Sequence, residues 1–240
     1  MLNHRLTESK IGSATVIVDI IPKGKCIPYV RINPTTVTIH NTGNVDASAK
    51  NNHNYMKNIN KSGERIASWH VTVGHDFIIQ AQPFNYKCYH AGNAVGNNSS
   101  IGIEICMYSD KDKQKKAYDN AIALVKILMS YYNFSVNQIK RHYDWGKKNC
   151  PQYLIEGKYG YTWNWFKNQL TAPPTSANSF KVKIICNELN IRKEASFDSK
   201  VVGTVKKNEV YTIVETKNGL GKLLSGAGWI SMGSKYVKKV

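Results

Sequence analysis

The sequence predicts two parts: an α/β unit, with a mixed central β-sheet flanked by helices, over residues 1–170, and a small all-β barrel over residues 180–240. Three observations carry this. β-type runs, several with apolar residues alternating in the manner of strands, recur from Ala14 to Cys106. A long stretch after them spaces its apolar residues three and four apart, as a helix does when it lies on a sheet. The segment Thr171-Ala172-Pro173-Pro174-Thr175-Ser176-Ala177-Asn178-Ser179 is then uncharged and rich in Pro, Ser and Thr, the composition of a linker, and the chain beyond it breaks into short β-type runs.

Taken in order, Ala14 to Ile21 is a β-branched run and Lys23-Gly24-Lys25 a turn. In Thr35 to Gly43 the alternation puts Val37 and Ile39 on one strand face and Thr36, Thr38 and His40 on the other, with His40 at the strand end. Asp46 is placed to cap a helix through about Asn60, with Ala47, Ala49, Tyr55, Met56 and Ile59 as its apolar stripe. Ser68–Val73, the turn Gly74-His75-Asp76 and Phe77–Gln80 read as a hairpin with Trp69, Val71 and Val73 on one face. A loop carrying Tyr89-His90-Ala91-Gly92 and the polar Gly96-Asn97-Asn98-Ser99-Ser100 leads to the strand Ile101–Cys106, whose isoleucines face the core and leave Gly102, Glu104 and Cys106 opposite. An acid on so apolar a strand is a local conflict, and such conflicts mark either function or a plain ion pair with a lysine. Ala117, Ala121, Leu124, Val125, Leu128 and Tyr132 define the long helix, and Tyr161–Leu170 a terminal one. Past the linker, Phe180–Cys186, Leu189–Arg192, Val201–Val205, Val210–Glu215, Lys222–Leu224, Trp229–Ser231 and Tyr236–Val240 are seven short strands, enough to close a small barrel.

Composition narrows the partners. Of 240 residues 33 are Lys or Arg and 16 Asp or Glu, a net charge of +17 that is shared between residues 1–179 (+10) and 180–240 (+7). Both parts favour an anionic surface or polymer. Nucleic acid fits less well than a wall polymer, because only 5 of the 33 basic residues are Arg. The cysteines Cys26, Cys88, Cys106, Cys150 and Cys186 form no close-spaced framework, so reduced thiols are expected. No apolar run approaches the roughly 18 residues of a membrane span, which argues against membrane insertion. The run at residues 14–21 is interrupted by Asp19 and lacks a small-residue cleavage site, so the protein is expected to be made in the cytoplasm without a secretory signal.

The chemistry gathers around Arg141-His142-Tyr143-Asp144-Trp145-Gly146-Lys147-Lys148-Asn149-Cys150-Pro151. His142 and Cys150 are too far apart for adjacent helical turns, but Gly146 between them lets a loop close around a cation. Imidazole and thiolate suit zinc. The pair alone reads equally as a surface histidine and a buried structural cysteine. Pro151 marks the end of the loop and the start of a helix. Adding His40 gives three ligands and leaves a fourth position for water, the pattern of a catalytic zinc.

At this point the chain resembles the zinc-dependent N-acetylmuramoyl-L-alanine amidases of the phage-lysozyme and peptidoglycan-recognition-protein superfamily. The matching segments are Thr38–Gly43, Ser68–Val73, His90-Ala91-Gly92, Ser100–Ile105 and Arg141–Asp144 with Lys148–Pro151, in that order over residues 14–170. The resemblance implies that His40, His142 and Cys150 bind zinc, that Glu104 is the general base, and that Lys148 steadies the developing oxyanion. It also makes Asn41, His70 and His90 candidate substrate contacts. Some relatives place a tyrosine in the hairpin; His75 stands at the nearest position here, so the base role goes to Glu104. The implied substrate is the amide between muramic acid and L-alanine in peptidoglycan. Two rivals on the same fold are a non-catalytic peptidoglycan binder and a zinc peptidase cutting within the stem peptide. The C-terminal part resembles a bacterial Src-homology-3-type wall-binding domain through Leu189–Arg192, Val201–Val205, Gly228-Trp229-Ile230 and Lys235-Tyr236-Val237, with Leu220 where related domains carry an aromatic. Together they imply an endolysin, stored in the cytoplasm and acting on a Gram-positive wall after release, with a signal-less bacterial autolysin as the other source.

Overall fold

A computed structural model describes residues 1, 3–171 and 179–240. The chain divides into two compact units, Met1–Thr171 and a second that ends at Val240. Of the linker segment, residues 172–178 lie outside the described residues. Among those described, no helix is long and apolar enough to cross a membrane.

The first unit is built on a seven-stranded mixed sheet: β1 (Lys10–Ile11), β2 (Ala14–Val18), β3 (Thr36–Val45), β4 (Val71–Val73), β5 (Phe77–Gln80), β6 (Ser100–Met107) and β7 (Ile139–Arg141), in the order β1-β2-β5-β4-β6-β3-β7. The β4–β5 pair is the expected antiparallel hairpin, whereas β3 lies parallel to both β6 and β7. Parallel strands at the centre of a sheet are covered on both faces. The central strands β4 and β6 and the first half of β3 therefore present one face to the main core and another to a second layer. Val37, Ile39, Ile101, Ile103 and Ile105 pack with Ala117, Ala121, Leu124, Val125 and Leu128 of the long helix, α3 (Lys111–Tyr132), as the three-and-four spacing predicts. Asp110 caps that helix by accepting from the amides of Asp112 and Lys113.

The other layer is led by α1 (Ala49–Ser62). Its N-cap is Ser48, which forms a reciprocal capping box with Asn51, and not Asp46. Asp46 instead adopts φ 64° and its carboxylate accepts from the amide and hydroxyl of Ser109. The buried stripe is Ala49, Asn52, His53, Met56, Ile59 and Asn60, at three- and four-residue spacing, and Tyr55, one residue from Met56 and so about 100° around the helix, lies at the surface. The segment read as a polar loop holds a short helix, α2 (Ala94–Ser99), whose N-cap Asn93 accepts from the Gly96 amide. The short helix α4 (Tyr143–Gly146) lies within the His142–Cys150 segment, α5 (Gln152–Ile155) follows it, and α6 (Trp163–Thr171) closes the unit.

The second unit is wholly β: β8 (Phe180–Ile184), β9 (Glu188–Arg192), β10 (Val201–Lys206), β11 (Val210–Lys217), β12 (Leu220–Leu223), β13 (Trp229–Ser231) and β14 (Val237–Lys239), in the order β10-β9-β13-β12-β11-β8-β14. All seven expected strands form, and every pairing is antiparallel. Its core is apolar: Val182, Ile184, Leu189, Ile191, Val205, Ile213, Leu223, Ile230 and Val237.

Candidate active site

The site begins in the pairing of β3 with β6. Their register sets Thr38 beside Gly102 and His40 beside Glu104, all on the face away from α3. His40 is not at the strand end, since β3 runs on to Val45, and the residue is 1% exposed. The third and fourth contributors arrive on the segment after β7, which is held against β3 at several points. The His142 amide donates to the Ile39 carbonyl (3.2 Å) and Trp145 Nε1 donates to Thr38 Oγ1 (2.8 Å). The Tyr143 amide donates to the Cys150 carbonyl (2.9 Å), closing the loop, and Arg141 pairs with Asp144 at its base. Beyond Cys150, the Tyr153 amide donates to Asn41 Oδ1 (3.0 Å).

These ties bring three donor atoms together. His40 Nδ1 lies 3.1 Å from His142 Nδ1 and 3.7 Å from Cys150 Sγ, and the ligand atoms of the three residues are all within 4.8 Å of one another. A tetrahedral zinc at ordinary bond lengths would set two nitrogen ligands ~3.3 Å apart and a nitrogen and a sulfur ~3.6 Å apart. The donor set and its spacing therefore fit a metal ion, and these three residues can hold one. Both imidazoles are neutral donors here: burial, with the Lys148 charge adding to it, holds His142 down to about 4 and His40 well below its ordinary value. Burial, reinforced by Glu104, pushes the Cys150 thiol up to about 12. A cation reverses that last effect, because a coordinated thiol gives up its proton.

The three converge in a cleft of about 480 Å³ that Glu104, Lys148 and His90 also line. Glu104 Oε2 is buried without a hydrogen-bond partner, and burial raises the carboxyl to about 8 against the opposing charges of Lys148 and Arg65. A buried carboxyl oxygen with nothing to bond is costly unless something outside the chain meets it. His40 Nε2 is 3.1 Å from His90 Nδ1, and His90 Nε2 is 3.1 Å from the Ser100 carbonyl.

Two candidate contacts are placed otherwise than expected. His70 does not reach the cleft: it is fully buried, its Nδ1 accepts from the Gly102 amide (2.9 Å) and its Nε2 donates to the Tyr86 carbonyl (2.7 Å). Asn41 lines the cleft, but its amide group is spent on Tyr153 and the Ile105 carbonyl. His75 stands outside, edge-on to Tyr108 with Nδ1 3.6 Å from Asp76. Sequence reasoning missed the walls: Tyr55, Arg65, Ile66, Trp69 and Tyr89 line the cleft.

Comparison with known proteins identifies the family. A family model described as N-acetylmuramoyl-L-alanine amidase matches residues 31–153, just over half of the chain, and a bacterial SH3 domain model matches residues 187–238. Among curated proteins, the chain is 40% identical over 157 residues to the N-acetylmuramoyl-L-alanine amidase XlyA of Bacillus subtilis, covering 63% of this chain and 50% of that one. The chain thus spans about half the length of that relative. Among solved structures, the catalytic domain of XlyA superposes with a TM-score of 0.58 at 38% identity, over 65% of this chain and 99% of that domain. A mutant endolysin from Bacillus subtilis gives 0.58 at 36% identity, over the same shares of 65% and 99%. With the matched segment spanning His40, Glu104, His142 and Cys150, the chain belongs to the N-acetylmuramoyl-L-alanine amidase family.

Proposed function

We propose that the protein is a zinc-dependent peptidoglycan amidase, an endolysin that hydrolyses the amide between N-acetylmuramic acid and L-alanine. The observation that supports this most is the meeting, in one cleft, of three donor atoms within 4.8 Å of one another and the unpartnered Oε2 of Glu104. Mixed nitrogen and sulfur donors suit zinc above the harder cations. Zinc held by His40, His142 and Cys150 would polarise the scissile carbonyl and acidify a water in its open position.

The remaining needs of amide hydrolysis fall to the chain. An amide has a poor leaving group, so the departing nitrogen must be protonated as the C–N bond breaks. Glu104 accepts a proton from the attacking water and passes it to that nitrogen, leaving a lactyl carboxylate and the free amino group of L-alanine. A carboxyl raised by burial is suited to both halves of that transfer. The ammonium of Lys148, which lines the same cleft, offsets the charge that grows on the carbonyl oxygen. Tyr55, Trp69 and Tyr89 supply flat apolar walls against which sugar and peptide can lie.

The second unit, in this reading, holds the enzyme on the wall, and the net charge of +17 draws both units toward peptidoglycan and its anionic polymers. In this reading the protein acts on the cell wall. Mass spectrometry of sacculi digested with the purified chain tests the reaction. Intact glycan strands with free peptides beginning at L-alanine are expected. Cuts between amino acids would replace the amidase with a peptidase, and binding without cleavage would leave only a wall-binding protein.

A further inference from the structure

We infer that His90 is a positioning residue: held between the Ser100 carbonyl and His40, it fixes the tautomer of His40 so that Nδ1 faces Cys150 and His142 as a bare lone pair. The inference rests on the reading of His40 as a metal ligand.

The logic runs outward from one oxygen. The Ser100 carbonyl can only accept, so His90 Nε2, 3.1 Å away, carries a hydrogen. A neutral imidazole has one N–H, which leaves a lone pair on His90 Nδ1. His40 Nε2, 3.1 Å from that lone pair, is therefore the donor of the next bond. His40 is neutral as well, so its own lone pair is left on Nδ1, the atom 3.1 Å from His142 Nδ1 and 3.7 Å from Cys150 Sγ. The opposite tautomer of His90 would set a nitrogen lone pair against a carbonyl lone pair at the same 3.1 Å. Metal-ligating histidines are commonly fixed through their second nitrogen in this way, by a carboxylate, carbonyl or water. Here a second imidazole carries the constraint, and the backbone of β6 supplies it.

The strand makes room for that imidazole. A Cβ on Gly102 would meet His90 at 2.7 Å from Cγ, 2.8 Å from Cδ2 and 2.9 Å from Nδ1, so position 102 admits only glycine while His90 stays where it is. His70 backs the ring edge-on, with centroids 5.8 Å apart, and is itself tied to the Gly102 amide. The glycine that breaks the apolar run of β6 and the buried His70 that misses the cleft are thus accounted for together, as the seat of His90.

Two measurements on the full-length, zinc-loaded chain decide it. Long-range nitrogen–proton NMR of nitrogen-15-labelled histidine reads each tautomer directly. Protonated Nε2 on both His90 and His40 is expected, and a proton on His90 Nδ1 would overturn the inference without any substitution being made. Competition with a chelator reads zinc affinity. His90→Ala should weaken it by about 10- to 100-fold, and His90→Asn, which keeps an acceptor near the position of Nδ1, should recover most of the loss. Equal affinity in His90→Ala and the unaltered chain refutes the inference alone. An unaltered chain that takes up no zinc refutes the ligand set, and this inference with it.

Discussion

The two units carry the same sign of charge and differ in what they bury. Among the described residues, fifteen polar side chains are buried in the first unit, His40, His53, His70 and His90 among them, against Ser231 alone in the barrel. Burying a polar group costs stability unless it is hydrogen-bonded, and small domains have little core with which to offset that cost. The first unit, with a seven-stranded sheet and a 22-residue helix, has that core; the core cluster of the barrel holds nine buried apolar residues. The first unit thus holds polar groups shielded from water, where electrostatic effects are strong, whereas the second, among the described residues, keeps nearly all of its polar groups out of its core.

The most damaging test of that contrast changes the carboxyl whose Oε2 is buried without a partner. Glu104→Gln keeps the shape of the cleft and, in this account, the metal site, while turnover of a soluble muropeptide falls by ~10²–10⁴-fold. Metal content measured on the same preparation should stay at the level of the unaltered chain; turnover that survives the change removes Glu104 from the reaction. Lys148→Met should cost less, roughly 10²-fold in kcat with KM little changed, because its charge is used as the transition state forms. A rise in KM alone would make Lys148 a binding group. The smallest effect on chemistry belongs to the barrel. A chain ending at Thr171 is expected to cleave soluble muropeptide at the full rate and to lose roughly tenfold in co-sedimentation with intact walls. Equal sedimentation of the long and short chains would take wall attachment away from the barrel.

What the sequence made legible follows from the same contrast. The barrel's seven strands could be read in order because short antiparallel strands separated by turns leave a local signature. In the first unit the alternation of Val37 and Ile39 with Thr38 and His40 correctly separated two faces of β3. It could not say what each face meets. His70, immediately before β4, is as fully buried as the strand itself, so its imidazole is engaged in hydrogen bonds to Tyr86 and Gly102 and does not reach substrate. The helix at Ala94–Ser99 escaped because Gly96-Asn97-Asn98 has turn composition, and its start depends on the Asn93 cap. Tyr55 and Arg65 were invisible as cleft walls because long-range packing brings them there, with no local pattern to announce it. By contrast, His40, Glu104, His142 and Cys150 were found together because the donor chemistry restricts which residue types can serve.

The account stands most directly on metal analysis of the purified chain joined to a hydrolysis assay. One zinc per chain is predicted, with activity abolished by a chelator, restored by added zinc, and absent together with the metal in Cys150→Ser. A chain free of metal that cleaves the muramoyl–alanine bond at full rate would contradict it.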